Sequence, residues 1–425
     1  MTTRIVYIGA GSAIFLYKIF HDIVNIEALH GVNMVLHDID EKRLGISAGF
    51  AERINKEAGA ELELEHTLDR KEALNGADFV LVSIEVDRYN RWRLDWEIPF
   101  KHGIKQVIGE NGGPGGLFHT LRNIPPIMEI AYDMEDLCPN AIMLNYTNPV
   151  PQLCLAISRY TKVNVVGLCH EVRHQLERLG PMMNIPVASF DPVSVGLNHF
   201  SWFKELKLKD GTNVYPVLDE ALSKANGFQP LCRVMYEKFG LFPSTDDNHL
   251  GEYLPYAWDV CPPNGRGFAW IDWCENEGNN RWQRVNRIIK GIEPLEVKGK
   301  LSDEVAMPII AGVVSDSNHI EYQVNLQNKG QIPNLIKDAI IETPAVINKN
   351  GVNPVHVGDM PDGLAALCNR EILIHSLSAE AGVHRDIKLA QQAMMVDPVV
   401  QDIEAAEKAF SELMDAHMDL LPQFK

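Results

Sequence analysis

Arg4-Ile5-Val6-Tyr7-Ile8-Gly9-Ala10-Gly11-Ser12 is the stretch that decides the fold. An apolar run of strand character meets a glycine pair and passes into a helix-like segment, residues 14–29. Such a strand–turn–helix unit offers unpaired backbone N–H groups at a helix N-terminus, where a pyrophosphate is held. Ile14 stands where the usual fingerprint has its third glycine, so the pair alone is weak and its position at the first strand is what strengthens it. A second strand, residues 33–38, ends at Asp38, where a carboxylate takes the adenosine ribose hydroxyls. That charge repels the extra phosphate of NADP. Gly9, Gly11, Ser12 and Asp38 are therefore read as an NAD site, against the plain alternative of a βα turn with a solvated strand end.

Outward from this unit, residues 78–84, 105–108, 141–146 and 164–168 are further strand candidates, and residues 41–58 are helical. Strands alternating with helices predict an α/β fold on a Rossmann-like, doubly wound parallel sheet. From Pro192 the pattern loosens. Residues 200–285, rich in Trp and Asp, mix loops with helices; residues 304–325, including 305–314, have β character; residues 364–416 are helical. The expected division is an NAD-binding domain over residues 1–195 and a mixed α+β catalytic and oligomerisation domain over residues 196–425, packed as one body.

The 425 residues carry 57 acidic against 39 basic side chains, a formal charge of −18. No basic stretch stands out to neutralise phosphates, so neither nucleic acid nor an anionic membrane is expected as a partner. An anionic small substrate needs a local cluster of cations. No signal peptide is expected, since Met1-Thr2-Thr3-Arg4 leads straight into a strand, and no apolar run reaches the roughly 18–20 residues of a spanning helix. Seven scattered cysteines without CxxC spacing suit reduced thiols in a cytoplasm.

The chemistry concentrates at Cys169-His170-Glu171-Val172, which closes the apolar run 163–168. A strand of that kind delivers a thiol, an imidazole and a carboxylate at its C-terminal end, where open α/β sheets bind ligands. His199 follows within Asn198-His199-Phe200. Cys169 and His199 are plausible ligands of a divalent transition ion, with positions left open for substrate or water. A buried apolar-type cysteine and a structural histidine are the plain alternatives. Asn145-Tyr146-Thr147-Asn148-Pro149 follows the fifth strand, and Gly109-Glu110-Asn111-Gly112-Gly113-Pro114-Gly115-Gly116 is a backbone-rich loop able to approach a ligand closely.

Together with residues 248–256 (NHLGEYLPY), these motifs resemble those of glycoside hydrolase family 4 over essentially the whole chain. Asn111 follows Glu110 where that family commonly has Thr. The Cys-His-Glu-Val version resembles the α-galacturonidase group. The resemblance implies NAD and Mn2+ as cofactors and an exception to two-carboxylate hydrolysis. The expected route is oxidation at C3 of the sugar, metal-assisted removal of the C2 proton, elimination, water addition and re-reduction. It implies Cys169 and His199 as metal ligands, His170 as the leaving-group acid, and Glu171, Glu110 and Asn148 as substrate contacts. Tyr253 is taken as the C2 base, with Tyr256, Asp247 and His249 as rivals. A tyrosine in that role needs a strongly lowered pKa. Homodimers or homotetramers are expected by the same resemblance.

A galacturonide carries a carboxylate that calls for a guanidinium. Arg88, Arg91 and Arg93 form one cluster, Arg281 and Arg284 another; Arg93 and Arg281 are the expected contacts. The alternatives are α-glucoside, α-galactoside or α-glucuronide specificity, a malate- or lactate-type dehydrogenase, and a non-catalytic NAD-binding regulator.

Overall fold

The computed structural model describes residues 2–12, 14–261 and 266–424. Among them, one sheet has eleven strands. They are β1 (Arg4–Ile8), β2 (Asn33–His37), β3 (Glu63–Thr67), β4 (Phe79–Val82), β5 (Ile142–Asn145), β6 (Asn164–Gly167), β7 (Val193–Leu197), β8 (Phe200–Glu205), β9 (His319–Gln327), β10 (Ile340–Asn348) and β11 (Gly351–Pro354). The order is β3-β2-β1-β4-β5-β6-β9-β10-β7-β8, with β11 paired to β10. From β3 to β6 neighbouring strands are parallel, which is the doubly wound sheet expected. The strand order reverses direction at β1, the switch point beside which such sheets bind ligands.

The remaining strands join antiparallel. β9 pairs β6 through Gly167 and Asn325, β10 pairs β9, and the β7–β8 hairpin joins through Gly196 and Glu342. The sheet therefore runs without a break from the first half of the chain into the second. Period-two alternation decides how β1 is buried. Ile5 and Tyr7 enter one core with the helix Leu16–Asn25, while Val6 and Ile8 enter the opposite core with the helix Gly113–Leu137.

Three expectations need correction. Residues 105–108 are not a strand. Their carbonyls are taken by side chains instead, the Trp96 indole donating to Val107 O at 2.9 Å and the Trp92 indole to Ile108 O at 2.7 Å. Residues 305–314 belong largely to the helix Ala306–Ser315, because a short, doubly buried apolar run has no periodicity to separate helix from strand. The β character of residues 304–325 is confined to β9. The polar edge strand β3 and the β7–β8 hairpin went unanticipated. The three C-terminal helices, Asp362–His384, Ile387–Val396 and Ile403–Ala416, answer to the expected helical tail. Among the described residues no helix is long and apolar enough to cross a membrane.

Candidate active site

The parallel strands point their C-terminal ends to one edge of the sheet, and the turns there hold the chemistry. After β1, Gly9 adopts φ 84°, and a Cβ on it would lie 2.2 Å from the Ser83 carbonyl beyond β4, so only glycine fits. The Gly11 N–H donates to Asp38 Oδ2 at 2.7 Å, and a Cβ there would strike the same carboxylate. Gly9, Gly11 and Asp38 are thus brought together as expected, with Ser12 closing the turn onto Gly9 O at 3.0 Å. The helix Leu16–Asn25 begins with no side-chain cap, leaving first-turn N–H groups for an anion. Arg281, expected at the substrate, lies at this turn instead, donating to Ile14 O at 3.2 Å.

Beyond β6, Cys169 is buried and Glu171 opens the helix Glu171–Met183. Helical spacing puts His174 and Arg178 on the Glu171 face. His174 Nδ1 lies 3.4 Å from Glu171 Oε1, and Arg178 donates to Oε2 at 3.2 Å. Burial opposes charge on Glu171, but His174, His249 and Arg178 outweigh it and hold the carboxyl well below its ordinary range. Neither partner was singled out from the sequence, although their offsets of three and seven residues from Glu171 were the available signal. His170 is partly open, lies with its ring tilted against that of His174 at 4.3 Å, and turns Nδ1 towards Glu304 Oε1 at 3.5 Å. Lys18 ties the same corner to the nucleotide end, reaching Asp303 at 2.7 Å and Glu304 at 2.9 Å.

His199 occupies a two-residue hairpin turn between Leu197 and Phe200, with φ 59°. A non-glycine residue held in that region is a strained position of the kind found at functional sites. Its ring stacks on His249 at 3.9 Å. Burial, then the His249 charge, pushes His199 well below the ordinary histidine pKa, and its buried Nδ1 has no hydrogen-bond partner. A neutral imidazole with an unsatisfied nitrogen suits a metal. Cys169 is a protonated thiol in the protein alone, raised by burial and then by Glu342. Both Cys169 and His199 feel the Glu171 charge. The described residues form three groups tight enough to hold a metal: His170, Glu171 and His174; His199, His249 and Glu252; His170, Asp303 and Glu304. Cys169 is in none of these groups of three or more.

The glycine-rich loop turns its amides inward. Glu252 Oε2 accepts from the N–H groups of Glu110 and Asn111 at 2.7 Å each and of Gly112 at 3.3 Å. Glu252 Oε1 lies 3.2 Å from His249 Nδ1. Against the cost of burial, this contact and the Glu171 charge raise His249 to about 10, so it is a cation and a poor general base. Asp247 accepts from the N–H groups of Leu231 and Cys232, a helix-capping task. Tyr256 points its hydroxyl at Met235 Sδ, 3.6 Å away. Of the four base candidates, the cationic His249 and Tyr253 face the metal turn, Tyr253 with its hydroxyl 3.4 Å from Asn198 O. Burial and then Glu252 raise that phenol well above its ordinary pKa, so a base role requires positive charge that the chain alone does not supply.

Glu110 is buried, 2.6 Å from Arg88 and 3.4 Å from Asn148 Nδ2. Arg88 also reaches Glu85 at 2.9 Å, and Glu85 meets His119 at 3.0 Å. Arg93, the expected contact of its cluster, is instead held by Asp272 at 2.7 Å and Glu275 at 2.6 Å. Position on the helix Arg88–Lys101 explains the exchange: the first residue of that helix faces the cleft and the sixth faces the helix Arg266–Ile289.

The sequence matches the family described as Family 4 glycosyl hydrolase over residues 4–185 and the Family 4 glycosyl hydrolase C-terminal domain over residues 194–400. It is 35% identical to an alpha-glucosidase of Erwinia rhapontici, over 98% of this chain and 97% of that one. An alpha-galactosidase of Bacillus subtilis is 32% identical over 99% of this chain and all of that one. An alpha-galacturonidase of the same species is 30% identical over 98% and 97%. A Bacillus subtilis structure described as a putative glucosidase superposes with a TM-score of 0.86 at 26% identity, covering 97% of this chain and 100% of that one. A 6-phospho-alpha-glucosidase from gut microorganisms, solved in complex with NAD and Mn2+, superposes with a TM-score of 0.86 at 20% identity over all of both chains.

Proposed function

The chain belongs to family 4 of the glycosyl hydrolases, and from that premise we propose that it cleaves α-galacturonides with NAD and Mn2+ as cofactors. The observation that carries the reading is Glu171 of the Cys-His-Glu-Val motif, a buried carboxylate with the Arg178 guanidinium at 3.2 Å. Arg178 takes over the role first expected of Arg93 and Arg281, because a uronate carboxylate needs a cation at the glycone pocket. Glu171 then accepts from sugar hydroxyls, and Glu110 and Asn148 hold hydroxyls on the opposite wall.

Cys169 and His199 are the residues proposed to hold the metal, and the turn of Gly9, Gly11 and Ser12 with Asp38 to hold NAD. When bound, NAD takes up and returns a hydride while the divalent ion withdraws electron density from neighbouring oxygens, which acidifies the C2–H bond. Tyr253 Oη takes the C2 proton. His170 Nε2 gives a proton to the departing oxygen while Nδ1 stays turned to Glu304. The loop carrying Glu110 is held in place by Glu252, so these groups do not have to be ordered at each turnover.

The test is incubation with catalytic NAD+, Mn2+, reductant and p-nitrophenyl α-galacturonide. Nitrophenol release without NADH accumulation, abolished by a chelator, is expected; stoichiometric NADH means a dehydrogenase, and NAD binding without any turnover means a regulator. A second reading, an α-glucosidase, is favoured by the 35% identity to the Erwinia rhapontici alpha-glucosidase. The same preparation offered the glucoside, galactoside and glucuronide decides between them through kcat/KM. A homodimer or homotetramer is proposed as the assembled form, read by light scattering.

A further inference from the structure

One transverse row of the sheet joins the two turns that carry Cys169 and His199. Gly167 of β6 pairs Asn325 of β9, Asn325 pairs Glu342 of β10, Glu342 pairs Gly196 of β7, and Gly196 pairs Ser201 of β8. Cys169 follows Gly167 by two residues, and His199 follows Gly196 by three. Side chains at one level of neighbouring strands share a face of the sheet. Here that face is polar and closed to solvent, with Asn325, Glu342 and Ser201 all buried.

Glu342 is the centre of the row. Its Oε2 accepts from Gln323 Nε2 at 2.9 Å and from the Nδ2 groups of Asn198 and Asn325 at 3.5 Å each. Ser201 Oγ lies 2.8 Å from Oε1. Two of these partners lead on to the proposed ligands. Gln323 Oε1 accepts the Val172 N–H at 2.9 Å, in the first turn of the helix that begins just beyond Cys169. Asn198 directly precedes His199, and its side-chain amide also hydrogen-bonds to the Cys169 thiol. Burying a carboxyl costs stability that an apolar side chain would not. Burial raises Glu342 to about 7. With or without its proton Oε2 accepts, because its neighbours are N–H donors and a proton belongs on Oε1, which faces the Ser201 hydroxyl.

We propose that Glu342 is a positioning residue of the metal centre: through Asn198 and Gln323 it fixes the His199 turn and the Cys169 turn relative to one another. The inference rests on the reading of Cys169 and His199 as the metal ligands. Hydrogen bonds behind a ligand set its orientation, and here one carboxyl serves two ligands that stand on different strands.

Mn2+ binding to the full chain under reducing conditions, read from the free-ion electron paramagnetic resonance signal, tests it. Glu342→Leu should raise the Mn2+ Kd by about 10–100-fold while NAD affinity, read by calorimetry, is kept. Glu342→Gln retains an oxygen for Gln323 and Asn198 and should bind Mn2+ as the wild type does. Gln323→Leu cuts only the branch to Val172 and should weaken Mn2+ binding in the same direction; it stands in for Glu342→Leu if that variant does not fold. An unchanged Mn2+ Kd in either leucine variant overturns the proposal. So does Glu342→Gln as weak as Glu342→Leu, or an equal loss of NAD affinity, which general damage to the fold would produce. Cys169→Ser distinguishes the two layers of the argument. Wild-type Mn2+ binding by Cys169→Ser removes the ligand assignment and this inference with it; lost binding there beside wild-type binding in Glu342→Leu sinks the inference alone.

Discussion

Glu252 holds the glycine-rich loop, accepting from three loop N–H groups and meeting His249 while 1% exposed. Glu252→Ala unpairs these donors and leaves the His249 cation buried, so it should destabilise the chain by about 3–5 kcal/mol in urea unfolding. Glu252→Gln keeps one acceptor and should lose less. Cys169→Ser removes the proposed thiolate ligand without touching the glycine turn. Turnover should fall by more than about 100-fold while NAD binding, followed by calorimetry, survives. Wild-type turnover from this variant is the outcome that sinks the metal role.

At the scale of elements, the helix Arg88–Lys101 pins the strandless run 105–108 through two indoles. Trp92→Phe leaves Ile108 O buried and unpaired, which should cost about 1–3 kcal/mol; an unchanged denaturation midpoint contradicts the role given to the indole. The pair Glu85–His119 ties the end of β4 to the helix Gly113–Leu137 and makes its contribution depend on pH. Burial opposes charge on Glu85, yet His119 and then Arg88 bring its pKa from 4.5 down to about 2, a shift on the order of 3 kcal/mol. A lowered carboxyl pKa contributes stability above the unfolded value and loses it as pH falls towards 2. His119 is raised above 6.5, mainly by Glu85 against the cost of burial, so its contribution is full below 6.5 and fades as pH rises through the folded value. Urea unfolding across pH should show both flanks, and His119→Asn should flatten the alkaline one. Strands β1, β2, β4, β5 and β6 were legible because their buried runs alternate with helices. The hairpin and β9–β10 were not, since isolated short apolar runs do not declare their partners. Cys169, Glu171, Glu110 and His199 were legible as motif members. Arg178 and Glu342 were not, because each acquires its meaning from a neighbour distant in sequence or visible only as a helix face.

Across the whole molecule, β6 would be the sheet's outer parallel strand if β9 and β10 did not lie against it. The strand that presents Cys169 is flanked on one side by chain made long afterwards. On a ribosome, a nascent chain ending before residue 319 has an open edge at β6 and a β7–β8 hairpin with no strand to join. Expressed alone, residues 1–300 should therefore aggregate or unfold without a sharp transition, as unpaired edges do; a cooperative melt from that fragment contradicts this. Burial of Cys169 becomes an event in the timing of synthesis: the thiol is shielded from oxidants only once residues 319–348 have emerged and docked.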